Sequence, residues 1–275
     1  MPEGPEVTII TNQLSKLLKS QKLIGINILT TKKYAINKSI ENIKLYMKLP
    51  VKLIDVRKKG KFIYFWFAND LIIGSTLGLS GGYTLDRSNQ SLIEFIFEKN
   101  KLYYNDVRHF GTFQIMSLSG LNNKLDKIGP DILTGSIRPQ EKSYLEKDEA
   151  TVEKFVAKTK KYPAKQIVQI LVDQKIISGI GNYLKSEILY KAKMFPGKLI
   201  KQISVIDLKR LYDIARMISN NSLENGGVSI RDYQDIYGKK GKYHPTIYGK
   251  KKIDDKPVLT KTFKDLRTTY YLKYD

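Results

Sequence analysis

The stretch Ile177-Ser178-Gly179-Ile180-Gly181-Asn182 breaks a helical pattern and decides how the second half of the chain folds. Before it, Ile167, Val168, Ile170 and Leu171 fall at helical spacing. After it, a second helix is predicted over residues 182–193, ending ahead of Phe195-Pro196. Two glycines in the turn permit tight backbone geometry. They also let a phosphate approach the N–H groups that open the next helix, where Asn182 adds a side-chain amide. An ordinary αα-hairpin with glycines placed for packing explains the same pattern, so the turn alone leaves both readings open.

Working outward, Ser204 and Asp207 give a capping-box-like start to a third helix. That helix carries Ile206, Leu208, Leu211, Ile214, Ala215 and Ile218 and stops before Gly226-Gly227. Short β-like runs then continue to Asp275 and read as a hairpin. Upstream, residues 121–128 suggest a short helix ending at Gly129-Pro130, and the charged residues up to Pro163 read as a linker. Earlier still, β-like runs cover 23–30, 51–56, 61–67, 71–76, 92–97, 101–104 and 112–116. Lys59-Gly60, Asn69-Asp70, Gly81-Gly82 and Lys99-Asn100 are turn signals between several of them. A leading helix over 8–20 buries Ile10, Leu14, Leu17 and Leu18. One helix followed by many short strands predicts an N-terminal β-sandwich or barrel and an α+β chain. The expected divisions are 1–134, a linker 135–163, a helical domain 164–235 and a hairpin 236–275.

The chain has 275 residues, with 48 Lys plus Arg against 27 Asp plus Glu, a formal net charge of +21. That balance points to a polyanion, most simply nucleic acid, although a basic ribosome-like or membrane-surface protein shares it. Cysteine is absent, which excludes disulfides, thiolate zinc sites and cysteine nucleophiles. His109 and His244 cannot build a metal site without carboxylate help. No apolar run approaches the roughly 18 residues of a membrane span, and the start lacks a secretory signal pattern.

The start itself reads Met1-Pro2-Glu3-Gly4-Pro5-Glu6. Removal of Met1 would leave Pro2 with a free secondary amine. An α-amino group has a pKa of about 8, so a useful fraction is neutral and nucleophilic near neutral pH. Its attack on a sugar carbon gives an iminium ion, a strong electron sink, and Glu3 stands next in the chain to move protons. A frayed, solvated terminus is the competing reading.

Together, Met1–Val7 and Asp173-Gln174 with Gly179-Ile180-Gly181-Asn182-Tyr183-Leu184-Lys185-Ser186-Glu187 resemble the formamidopyrimidine-DNA glycosylase/endonuclease VIII family. Residues 57–62, 77–81, 106–111 and 226–233 match in the same order, so the resemblance covers nearly the whole chain. It implies two domains with DNA bound in the cleft between them, base excision, and strand cleavage by β,δ-elimination. It implies Pro2 as the nucleophile at C1′, Glu3 as general acid/base, and Glu6 as either a water-orienting group or a buried helix cap. Lys61 and Asn182, with the turn amides of Gly179 and Gly181, would bind phosphates. Leu79, Arg108 and Phe110 would fill the space left by an extruded base, core packing being the other reading of Leu79 and Phe110. Ser229 and Arg231 would belong to a lesion-reading loop. The tail resembles a zincless finger, with Arg267 reaching phosphates and Val258, Leu259, Phe263, Tyr270 and Tyr271 as its core. No metal and no cofactor are expected. The expected partner is DNA carrying oxidised bases or abasic sites, met by an intracellular monomer without membrane association. The alternative is a catalytically inactive damaged-DNA-binding member of the same fold.

Overall fold

The computed structural model describes residues 1–29, 48–133, 150–230 and 233–274. It divides into two compact units. The first takes Met1–Pro2, Glu6–Lys127 and Ile230–Gly241, and the second takes Glu3–Pro5, Ile128–Ser229 and Lys242–Asp275.

The first unit opens on helix α1 (Gly4–Leu18), whose Val7, Ile10, Leu14 and Leu18 are fully buried. Eight antiparallel strands follow: β1 (Lys22–Ile28), β2 (Val51–Lys59), β3 (Phe62–Phe67), β4 (Leu71–Thr76), β5 (Gly81–Thr84), β6 (Ser91–Phe97), β7 (Lys101–Asp106) and β8 (Thr112–Ser117). They pair in the order β5-β7-β6-β1-β2-β3-β4-β8. Only Lys22↔Lys52 and Leu23↔Val51 join β1 to β2, so the sheet is two four-stranded halves hinged at that edge. Leu23, Ile93, Phe95 and Tyr104 from one half share a core with Leu53, Ile63, Phe65 and Ile73 from the other. The expected sandwich is what these strands build. Helix α2 (Leu118–Asp126) closes the run, with Ser117 as its N-cap.

One expected turn is strand instead. Gly81-Gly82 lies inside β5, paired with Asp106 and Asn105. A Cβ on Gly81 would stand 2.2 Å from the Leu77 carbonyl oxygen and 2.5 Å from the Tyr104 hydroxyl. Gly81 is there for close approach within a strand. Lys59-Gly60 does mark a turn. Lys59 pairs with Phe62, and Gly60 takes a positive φ of 57°, leaving Lys61 at the tip of a two-residue hairpin loop.

The second unit holds helices α3 (Val152–Lys160), α4 (Ile167–Val172), α5 (Asn182–Lys191) and α6 (Val205–Glu224). Ser204 caps α6 by accepting from the Asp207 N–H, as its spacing predicted. The expected linker 135–163 is not one throughout. Thr151 caps α3, and Phe155 is buried with its ring 5.8 Å from that of Tyr212 on α6. Phe155 and Thr159, four positions apart, give this charge-rich helix a buried face. Residues 134–149 lie outside the described residues. Nor does the chain divide at 235. Tyr233 and Ile236 join the core of the first unit, and Gln13 donates to Asp235 over 2.7 Å.

The tail forms two hairpins where one was expected. β9 (Lys252–Ile253) pairs with β10 (Lys256–Pro257), and β11 (Leu259–Thr262) pairs with β12 (Thr268–Tyr271). Asp254 and Asp255 both take positive φ, which suits the primed turns that match strand twist. Phe263, Tyr271 and Phe195 pack edge to face with centroids 5.7–5.8 Å apart. Tyr270 meets Tyr248 at 5.0 Å. Leu259, expected in this core, is 37% exposed, on a strand that no described residue covers.

Candidate functional site

In the first unit, Pro2 lines a cavity of about 900 Å³ together with Ser80, Asn105, Arg108, Tyr233 and Tyr237. Two loops frame it. The Ser80 hydroxyl donates to Asp106 over 2.7 Å and accepts from the Arg108 N–H over 3.0 Å. The Gly111 N–H donates to the other Asp106 oxygen over 2.7 Å. A Cβ on Gly78 would fall 2.6 Å from the Phe110 carbonyl carbon, so the two loops touch backbone to backbone. Leu79 and the Arg108–Phe110 run are therefore neighbours. Phe110 is 59% exposed, which removes core packing as the reason for its presence; Leu79 is half-buried. His109 occupies the same loop at a φ of 55°. Glu6 is fully buried in the first turn of α1. Lys61 is half-buried at the hairpin tip. Sequence reading did not single out Tyr233. It is buried, and among the described residues its hydroxyl finds no hydrogen-bond partner. Burial, assisted by the negative charges of Glu6 and Asp235, holds the phenol far above its ordinary value.

In the second unit, Glu3 sits on the N-terminus of α5. Its Oε2 accepts from the Gly181 N–H over 2.6 Å and from the Leu184 N–H over 3.3 Å, and its Oε1 accepts from the Tyr183 N–H over 2.9 Å. A carboxylate thus takes three donors at the helix start. Glu3 is 1% exposed. The glycines make the approach possible. The Gly4 N–H donates to the Gly179 carbonyl over 2.8 Å, a Cβ on Gly4 would sit 3.1 Å from that oxygen, and Gly179 has a φ of 101°. The Gly179 N–H goes to Gln174 Oε1 over 3.0 Å. The amides of Gly179 and Gly181, expected to meet a phosphate, are therefore spent inside the protein. Gly181 spends its donor on the chain start and Gly179 spends its own within the turn.

Asn182, half-buried at the first position of α5, donates to the Thr268 carbonyl over 3.1 Å. Arg267 is exposed in the loop between β11 and β12. Glu187 on α5 accepts from three successive N–H groups, Thr246, Ile247 and Tyr248, over 2.8–2.9 Å. Ser229 donates from its N–H to the Tyr243 carbonyl and pairs with His244 Nδ1 over 2.8 Å; Arg231 lies outside the described residues. Among the described residues, no cluster of three His, Cys, Asp or Glu could hold a metal ion. No described helix is long and apolar enough to cross a membrane.

Comparison with known proteins agrees with this layout. Residues 1–113 match the formamidopyrimidine-DNA glycosylase N-terminal domain, and residues 144–234 match the formamidopyrimidine-DNA glycosylase H2TH domain. The formamidopyrimidine-DNA glycosylase of Ligilactobacillus salivarius is 30% identical over 264 residues, covering 93% of this chain and 89% of that protein. Its counterpart in Lactococcus lactis is 31% identical over 258 residues, covering 91% and 89%. The structure of Lactococcus lactis Fpg in complex with abasic-site DNA superposes with a TM-score of 0.82 at 26% identity, covering 98% and 97% of the two chains. That of the MutM (Fpg) protein of Thermus thermophilus has a TM-score of 0.81 at 21% identity, with the same coverage, and shares the fold. A relative 30% identical across nine-tenths of both chains, with both domain models of that family matching in turn along this one, leaves one conclusion: this chain belongs to the formamidopyrimidine-DNA glycosylase/endonuclease VIII family.

Proposed function

We propose that this protein is a bifunctional DNA glycosylase and AP lyase of base excision repair, acting on oxidised bases inside the cell. One observation carries the reading. The chain start is not frayed: Pro2 is buried beside a cavity, and Glu3, the next residue, is held by three backbone donors. Held termini of this kind are built for a purpose. With Met1 removed, the Pro2 amine attacks C1′ of the damaged nucleotide. The bond from C1′ to the base breaks and the base leaves with a proton. Glu3 assists opening of the sugar ring and the later proton transfers. The iminium acidifies the C2′ proton, whose loss expels the 3′ phosphate; loss of the C4′ proton then expels the 5′ phosphate. Addition of water to the iminium releases the sugar remnant as an aldehyde and returns Pro2.

Lys61, Asn182 and Arg267 are the phosphate contacts in this reading, and they position the substrate without reading its sequence. Leu79, Arg108 and Phe110 fill the vacated helix, Arg108 hydrogen-bonding the orphaned base. The mutual contact of their loops and the exposure of Phe110 support that role. Ser229 starts the lesion-reading segment. The names of the relatives and the abasic-site DNA in the Lactococcus lactis complex support the substrate class.

The test is borohydride trapping. The tag-free protein is mixed with a duplex carrying one abasic site, and borohydride is added. A covalent adduct on an N-terminal Pro2 peptide is expected. A free Pro2 terminus that binds the DNA and yields no adduct would overturn the reading in favour of an inactive lesion-binding protein.

A further inference from the structure

Lys185 lies on the second turn of α5, and Asp265 lies in the loop that carries Arg267, 80 residues away in the chain. Their side chains form an ion pair of 2.5 Å, and neither has any exposed surface. The other Asp265 oxygen accepts from the Arg267 N–H over 3.4 Å. One carboxylate therefore joins the helix to the backbone of the arginine. The rest of the loop is pinned as well. The Lys264 N–H donates to Gln166 over 3.1 Å, and Leu266 is held at a φ of 58°, a conformation that a leucine resists.

As a source of stability this pair is a poor choice. Burying both charges costs hydration, and apolar replacements for such pairs are often neutral or better. Burial indeed pulls the Lys185 ammonium below its ordinary range against the attraction of Asp265. What a buried pair supplies that an apolar contact does not is direction. We infer that Lys185 and Asp265 are a positioning pair that aims the Arg267 loop at the DNA backbone, in a finger that has no cysteine to hold a metal. The same helix that seats Glu3 at its first turn thereby also seats the finger at its second.

This inference rests on the proposed phosphate contact of Arg267, so the experiment separates the two. The probe is a duplex carrying a stable abasic-site analogue, with affinity measured across a salt series. Arg267→Ala should weaken binding about tenfold, as loss of a charge-assisted contact does, and should flatten the salt slope by about 0.9. The paired replacement Lys185→Met/Asp265→Leu should flatten it by the same amount while leaving the melting temperature near that of wild type. Adding Arg267→Ala to the paired replacement should then change nothing further, because a misplaced arginine has nothing left to lose. If Arg267→Ala leaves the slope intact, the phosphate contact itself is wrong and the inference falls with it. If Arg267→Ala flattens the slope but the paired replacement does not, the contact stands and the positioning role is overturned. If the two losses simply add, the pair acts on the fold in general and the inference is likewise overturned. Should the paired replacement fail to fold, Asp265→Asn, close in shape, takes its place with the salt slope and its coupling to Arg267→Ala as the readouts, since a buried Lys185 without a counter-charge lowers the melting temperature by itself.

Discussion

Replacing Glu3 by Gln separates the structural task of this residue from its chemistry. The carboxylate meets three N–H donors of the α5 turn. An amide offers one oxygen. Placed at the Oε2 position, it keeps Gly181 and Leu184 and turns its NH2 toward the Tyr183 N–H. One buried donor is then orphaned, at a cost of about 1–3 kcal/mol. Loss of the negative charge at the helix start costs about 0.5–2 kcal/mol more. The sum is about 1.5–5 kcal/mol. For a chain of this size, each kcal/mol is worth roughly 2–4 °C in melting temperature, so a fall of about 3–20 °C is expected. Calorimetry measures it, and hydrogen exchange localises it: protection should drop at the amides of Gly181, Tyr183 and Leu184. Trapping by borohydride, carried out well below the melting point, should be impaired as well. A melting temperature within one or two degrees of wild type, with those amides still protected, would refute the reasoning, since the hydrogen bonds would then carry no weight.

Three further outcomes are expected. Phe110→Ala should leave the melting temperature unchanged, because the ring is 59% exposed, while slowing base excision from duplex DNA roughly five- to tenfold through loss of a wedge; a marked thermal destabilisation would return Phe110 to the core. Gly81→Ala should cost about 1–3 kcal/mol by overpacking against Leu77 and Tyr104, whereas Gly82→Ala, with nothing within 4 Å of its Cβ, should cost less than about 0.5 kcal/mol; equal effects in urea melts would contradict the strand assignment. The Glu94 carboxyl is held below its ordinary value by the Asn27 amide, with Lys101 and Tyr103 assisting against burial. Its contribution is therefore present above the ordinary carboxylate range and disappears as pH falls through the lowered value. Glu94→Gln should be less stable than wild type at neutral pH, and the gap should close in acid; a gap constant with pH would exclude this origin.

Much of the molecule is readable along the chain because its signals are local. The Ser204 cap, the Gly60-Lys61 hairpin tip, the apolar face of α1 and the helix–turn–helix at Gly179–Asn182 each depend on residues a few positions apart. Propensity and periodicity report such short-range preferences directly. The absence of cysteine likewise removes a metal-bound finger without any coordinates. What folding in three dimensions settled is who partners whom. The composition of Gly179-Ile180-Gly181 suits a phosphate as well as a carboxylate. The carboxylate that takes the Gly181 N–H comes from Glu3, 178 positions away. Gly81-Gly82 looks like a turn until the Tyr104 hydroxyl fills the place of a side chain. Lys185 looks like one basic residue among 48 Lys and Arg until Asp265 arrives beside it and both side chains lose all exposed surface. Long-range hydrogen bonds and buried charges are chosen by which surfaces meet, and no window of sequence contains both surfaces.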